Sequence, residues 1–347
     1  MKQRVTMKMI AEKAGVNWAT VSRALNPSTA SLISDEVRKR ILKISDELGY
    51  RPSYSGRSIV TGKNFKIGMI LGNMQRDFAA IDWARIICGL SAEIQKSGYV
   101  LCLLYANGSE DMDAQVINFL MSGVADGYVT GPSMIGKNVQ TMLNKVNAPV
   151  WVVCESGISI ANVNHIQRDD TDAFCEVWRK IPKKWLKKIL YYSRTSNERL
   201  NRLEEIKRTG KIVYPHGDYL LQSLFVPNRD FQLSEYRTNF RFCMDHLSDL
   251  KRYKFIWCDS DIGARAVCDA LKSVRLQPGV DFSVVGYGDF ETYSGLIENP
   301  EISTISAEAL EIGAALGRNI LDQIAGKREK QTVVKSRFIA RKTFPAE

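Results

Sequence analysis

Histidine is nearly missing from this chain: there are three in 347 residues, His165, His216 and His246, each far from the others. No two share the i, i+4 spacing that sets a pair of imidazoles on one helix face for a metal. Paired cysteine is missing too. Cys88, Cys102, Cys154, Cys175, Cys243, Cys258 and Cys268 are scattered, none in a C-x-x-C pair, and most lie inside apolar runs. A reduced cysteine in such a run behaves as a small hydrophobe. Neither a metal site nor a disulfide framework is expected, no cofactor is implied, and the compartment reads as the reducing cytoplasm. No segment approaches the ~18 uncharged apolar residues of a membrane helix. The start, MKQRVTMKMIAEKAG, has none of the apolar stretch of a secretory leader. There is no G-x-S-x-G elbow, no Walker loop and no G-x-G-x-x-G turn, so the sequence reads as no enzyme.

What remains is an ordinary globular composition with unevenly placed charge. With 45% apolar and 25% charged residues over 347 positions, the chain can fill two or three compact units. Residues 1–63 carry twelve Lys and Arg against five Asp and Glu, a surplus of seven out of the whole chain's ten. A basic end on a near-neutral body suits a phosphate-binding module joined to a separate domain. A solvated basic tail would give the same totals.

Three short helices fit the first fifty residues. Thr6 can cap one running through Met9, Ile10 and Ala14 to Gly15, and Asn17 can cap a second carrying Thr20, Val21, Ala24 and Leu25. Ser34 can cap a third, whose apolar Val37, Ile41, Ile44 and Leu48 share one face and whose stop signal is Gly49. Residues 50–63 form a polar joint with Pro52, Gly56 and Gly62. From Phe65 onward, short β-like runs (66–72, 99–106, 126–131, 149–154, 188–193, 255–260, 281–289) alternate with helical stretches such as 84–96, 234–249, 262–274 and 307–325. That alternation predicts parallel sheets covered by helices. The expected division is a headpiece at 1–49, a joint at 50–63 and an α/β body at 64–347.

Within TMKMIAEKAGVNWATVSRALN, residues 6–26, one helix ends in Ala14-Gly15-Val16 and a second begins at Asn17. Gly15 gives the turn its backbone freedom, and Ala11 and Ala14 are small where the helices would cross. Trp18, Ala19, Ser22 and Arg23 face outward, so the motif reads as a helix-turn-helix whose second helix presents its first turn to a major groove.

A-x-x-A-G-V, then A-T-V-S-R-x-L-N, then G-Y-R-P at these distances closely resemble the lactose-repressor (LacI/GalR) family of transcription regulators. Weaker likenesses run along the body: VADGYVTGPS, NERLNRLEEI, CDSDIGARAVCDAL, VVGYGDF and NPEISTIS. The resemblance implies an all-α helix-turn-helix headpiece followed by an α/β effector domain of two doubly wound parallel-sheet lobes, like a periplasmic binding protein. It implies a homodimer, or a dimer of dimers, on a pseudo-palindromic double-stranded operator and a small, sugar-like effector between the lobes. The lobes are expected at about 64–163 with 307–328, and 164–306 with 329–347. A transport-type binding protein shares the body's fold, but the headpiece argues against it.

The resemblance also assigns residues. Thr6 and Asn17 cap helices, with or without a phosphate contact. Trp18 and Ala19 take the base-reading positions: Ala19 can offer its methyl to a thymine, while Trp18 reads a base or packs on the sugar-phosphate backbone. Arg23 matches a base-contacting arginine, and Ser22 and Asn26 position the protein on phosphates. Thr20, Tyr50, Arg51 and Ser53 complete the expected DNA-binding set, and Ile59 takes the minor-groove wedge position. Gly56 stands where an alanine is usual, which costs a hinge helix about 1 kcal/mol. In the cleft, Arg199 matches the effector arginine or else pairs with Glu204, and Phe231 packs on ligand or on the core. Trp83, Glu155, Asp259, Ser260, Asp261 and Asp289 complete the expected effector set. Two departures stand out: Ser260 replaces an amide, and Gly288 replaces the first carboxylate of the G-[FY]-D-D motif. They keep open a regulator whose body binds no small molecule and serves only for dimerisation or protein partners. The basic run WRKIPKKWLKK reads as a solvated helix face.

Overall fold

The computed structural model describes residues 5–25, 27–51, 58, 61–72, 81–106, 111–154, 160, 163–194, 197–227, 235–293, 298–327 and 332–344. The chain divides into two compact units, Met1–Asn64 and Phe65–Glu347.

The first unit contains the helices α1 (Met7–Ala14), α2 (Trp18–Leu25) and α3 (Asp35–Glu47), with a 3-10 turn at Pro27–Leu32 that the sequence pattern does not announce. Ile10, Ala11, Ala14, Val21, Ala24, Ile41 and Tyr50 form its core. Small residues at the α1–α2 crossing let the helices approach, and the two isoleucines fill the centre. Thr6 caps α1 by accepting from Met9 N at 3.4 Å. Gly15 ends α1 with φ 63°, and Val16 N closes the turn on Ala11 O at 3.1 Å. Ser34 occupies the cap position of α3 but makes no side-chain cap bond. The positive end of that helix is met instead by Asp35 and Glu36 in its first turn.

The second unit is two parallel sheets. The first has the order β11-β5-β4-β3-β1-β2, built from β1 (Lys66–Leu71), β2 (Val100–Tyr105), β3 (Gly127–Thr130), β4 (Val150–Cys154), β5 (Asn164–Asp169) and β11 (Thr332–Lys335). The second has the order β12-β10-β9-β8-β6-β7, built from β6 (Ile189–Arg194), β7 (Leu221–Val226), β8 (Phe255–Cys258), β9 (Ser283–Tyr287), β10 (Ser303–Ser306) and β12 (Arg337–Ile339), the last antiparallel. Strand alternation gives each sheet two cores. Ile67, Met69 and Leu71 of β1 face α4 (Ile81–Gln95) and the long C-terminal helix, while Ile70 faces α5 (Met112–Met121) and α6 (Lys137–Met142). In the second sheet, Tyr191, Trp257 and Val285 meet α7 (Thr171–Lys180) and α8 (Asn197–Val213). Tyr192, Ile256 and Val284 meet α9 (Glu235–Asp245) and α10 (Asp261–Lys272).

The C-terminal helix α11 (Ala309–Ile324) returns to the first lobe and lies on α4. Their backbones touch: a Cβ on Gly89 would sit 2.1 Å from Leu310 O, and one on Gly313 would sit 2.1 Å from Ile86 O. The chain therefore crosses between lobes three times, near 169–171, 306–309 and 335–337. Two expected lobe boundaries move as a result. The polar strand β5, expected to open the second lobe at 164, belongs to the first sheet, and so does β11, expected after 329. Charged Arg168 and Asp169 mask β5 as a strand because its C-terminal end reaches the lobe junction.

The basic run divides cleanly. Trp178, Ile181, Trp185 and Leu186 are core, while Lys183, Lys184 and Lys187 face solvent. The sequence pattern expects the tryptophans on a solvated face. Their indoles instead fill the second lobe, where Trp178 Nε1 donates to Ile206 O at 3.0 Å. All seven cysteines are free thiols, five of them buried. No helix among the described residues is long and apolar enough to cross a membrane.

Candidate nucleic-acid interface and lobe junction

In the headpiece, Asn17 Oδ1 accepts from Thr20 N at 2.8 Å and from Thr20 Oγ1 at 3.0 Å. This cap starts α2 in the open, and it engages the Thr20 hydroxyl locally. Trp18, a large apolar side chain, is 57% exposed. Ala19 and Ser22 are half-buried beside it, and Arg23 is exposed on the same helix. An indole, a methyl, a hydroxyl and a guanidinium thus project from one turn and a half, carrying the donor and apolar groups that read base edges. Lys8, Lys39, Arg40, Lys43 and Arg51 are also solvent-facing, supplying charge for phosphates. Tyr50 differs from its expectation: its ring is 7% exposed and closes the core, so only its neighbour Arg51 is placed for solvent contact. Asn26, Ser53 and Ile59 lie outside the described residues.

At the lobe junction the expected carboxylates turn inward. Asp259 is 3% exposed; its Oδ2 accepts from Ser193 Oγ at 2.9 Å and Arg194 N at 3.0 Å, pinning the end of β6. Ser260 caps α10 by accepting from Gly263 N at 3.1 Å. Asp261, 1% exposed, accepts from Phe290 N at 2.6 Å, and burial pushes its carboxyl up to about 7. Asp289 is 2% exposed with φ 56°; its carboxylate takes the Arg341 guanidinium and the Thr292 hydroxyl at 2.8 Å. The sequence expects these polar groups at a ligand, and the fold gives each a partner within the second lobe. The reason is their place at strand and helix ends, where backbone amides need acceptors. Trp83 is half-buried against the first-lobe core, its ring 3.2 Å from where a Cβ on Gly131 would lie, beyond the end of β3. Glu155 and Phe231 lie outside the described residues, as does the side chain of Arg199.

Other residues meet at the junction instead. The Arg202 guanidinium lies 3.7 Å from the centre of the Tyr287 ring and donates to Asp259 O at 2.8 Å. Arg168 lies 5.5 Å from the centre of the same ring, and Arg85 sits 3.5 Å over Tyr293. Asp82 is 3.9 Å from Arg168. All stand at the C-terminal ends of the strands, where open α/β sheets take ligands. The Tyr287 hydroxyl donates to both oxygens of Asp170, at 3.0 and 3.1 Å, and Ser336 Oγ donates to the same carboxylate at 2.5 Å. Glu308 accepts from Arg337 Nε at 2.8 Å. These bonds clamp the three crossovers together. Arg202 was legible in principle, because NERLNRL contains two Arg-Leu pairs and the second fits the family segment as well as the first. Asp82, Arg85 and Arg168 carry no local signal.

Residues 6–53 match the family described as bacterial regulatory proteins, lacI family, and residues 64–344 match the periplasmic binding proteins and sugar binding domain of the LacI family. The transcriptional regulator RegA of Clostridium saccharobutylicum is 23% identical over 93% of both chains, and the ribose operon repressor of Haemophilus influenzae is 25% identical over 93% of both. The fold is similar to that of the lac repressor dimer bound to operator and the anti-inducer ONPF, with a TM-score of 0.77 at 18% identity over 99% of this chain and 100% of that one. The regulator CelR in its cellobiose complex gives 0.63 at 19% identity, covering 98% and 100%. Matched from headpiece to final strand, this chain belongs to the lacI family of bacterial regulatory proteins.

Proposed function

We propose that the chain is a cytoplasmic, nucleoid-bound transcriptional repressor and not an enzyme, acting as a homodimer on a pseudo-palindromic double-stranded operator. The observation that carries this is the α2 face. A tryptophan and an arginine stand exposed in the first turns of a helix whose start is fixed by Asn17. In this role Trp18, Ala19 and Arg23 read base edges, while Thr6, Asn17, Thr20, Ser22, Asn26, Arg51 and Ser53 hold the backbone. Tyr50 acts through packing, and Ile59 wedges the minor groove. Selection of bound sequences from a random duplex pool at near-physiological salt tests it. A pseudo-palindrome with a flexible central pyrimidine–purine step is expected, and salt-sensitive binding with no motif would overturn the sequence-specific reading.

The lobe junction is the proposed effector site, with occupancy of the operator set by a small polar metabolite. Arg202, Tyr287 and Trp83 support this reading by their place at the strand ends. A second reading, a body that binds no small molecule, draws on the internal engagement of Asp259, Asp261 and Asp289. A thermal shift of the full chain across a panel of sugars and their acids separates the two, because a ligand bound only by the native state must raise its melting point.

A further inference from the structure

One contact across the junction has no counterpart in the sequence pattern. Asp82 lies in the first turn of α4, in the first lobe, and Gly288 follows β9 in the second. A Cβ built on Gly288 would face both carboxylate oxygens of Asp82 at the same distance, 3.8 Å. Position 288 is where the resemblance expects a carboxylate and the chain has none. A carboxylate nevertheless stands in front of that position, delivered from the opposite lobe.

Around it the geometry is built. Arg168, 8% exposed at the end of β5, holds Asp82 at 3.9 Å. Arg85, one turn further along α4, lies over Tyr293 of the second lobe. The first two turns of α4 are thus aimed at residues 288 and 293. Glycine at 288 fits for two separate reasons. Its φ of 113° is a conformation that side chains rarely adopt. An aspartate there would also set two like charges against each other across the junction.

We propose that Asp82 is the specificity-determining carboxylate of the effector site, gripping a hydroxyl of the ligand in place of the residue missing at 288. This rests on the effector reading given above. A carboxylate accepts hydrogen bonds and donates none, so the grip selects a hydroxyl-bearing ligand. Its location makes a difference to mechanism. A carboxylate at 288 would share a lobe with Tyr287 and Arg202. Asp82 reaches the same ligand only when the lobes are together, so recognition and lobe closure become one event, and the ligand favours the closed state by its added affinity for it.

The test is a double-mutant cycle on the full chain with Asp82→Asn, Gly288→Asp and the pair. Gly288→Asn reports the backbone strain without the charge. In ligand-free unfolding, Gly288→Asp is expected to lower the midpoint more in the native background than in the Asp82→Asn background. Gly288→Asn should lower it equally in both. Equal losses for Gly288→Asp in the two backgrounds would overturn the juxtaposition.

Thermal shift with D-ribose, D-glucose, cellobiose and D-gluconate gives the second readout. A sugar that stabilises the native chain should lose its shift in Asp82→Asn and regain part of it in the double variant. A purely structural Asp82 would lower the ligand-free midpoint and leave the shift intact, which overturns the ligand role. If none of the four stabilises the native chain, the sugar reading of the effector fails and the ligand role of Asp82 falls with it. Coupling in the unfolding cycle then shows only that Asp82 stands against position 288, and no coupling removes that juxtaposition as well.

Discussion

The headpiece and the second lobe treat polar side chains in opposite ways. In the headpiece the core is seven residues, mostly alanine and β-branched aliphatics, and the chemistry-bearing groups Trp18, Ser22 and Arg23 point away from it. In the second lobe the carboxylates of Asp259, Asp261 and Asp289 are drawn inside and engaged by backbone amides, hydroxyls and Arg341. A unit this small has little room for the partners that a buried charge needs. A lobe built on a six-stranded sheet has many strand ends and loops whose amides need acceptors, and it can hold polar groups in a closed network. A motif aspartate therefore means different things in the two regions.

The largest expected effect sharpens this contrast from the headpiece side. Ile41 is fully buried there, and Ile41→Ala should cost about 2–5 kcal/mol, as deletions in cores do. In a unit of this size that loss should unfold the headpiece and abolish operator binding while the body's melting transition stays in place. Calorimetry that shows both units destabilised together would break the division into independent parts.

Arg23→Ala should act on recognition without touching either core. Loss of a bidentate base contact removes about 1–3 kcal/mol of discrimination, read as relaxed preference at one position of each half-site when selection is repeated. Uniform weakening across all positions would make Arg23 a phosphate contact instead.

Asp261 tests the other side. Its folded pKa, about 7, lies above the ordinary carboxylate value because burial disfavours the charge. Its contribution is therefore fully present below about pH 4 and is lost as pH rises toward 7, a decline of about 2 kcal/mol between roughly pH 5 and 7 if it acts alone. Asp261→Asn keeps an acceptor for Phe290 N and removes the titration, so its melting point should fall less over that range than the native chain's. Parallel curves would mean that burial makes this carboxyl no harder to ionise in the native chain than in the unfolded one.

The smallest effect concerns the joint. Gly56 lies outside the described residues, but its sequence reading is definite: Gly56→Ala should strengthen operator binding by about 1 kcal/mol per hinge if the hinge becomes helical on DNA. Unchanged affinity would sink that reading.

The sequence by itself determined the helix-turn-helix, the basic headpiece, the α/β body and the family. These rest on local signals: caps at Thr6 and Asn17, a turn glycine at 15, apolar periodicity, and a motif whose spacing survives because neighbouring residues on a helix face stay neighbours. It also marked Gly288 as a departure. Only the tertiary structure decided which lobe owns β5 and β11, that Trp178 and Trp185 are core, and that Asp259, Asp261 and Asp289 face inward. It alone brought Asp82, Arg85, Arg168, Arg202 and Tyr287 to one junction. The reason is that the chain crosses between lobes three times. The junction is thus assembled from residues as far apart as 82 and 288, and no local pattern encodes which charge will meet which across that distance.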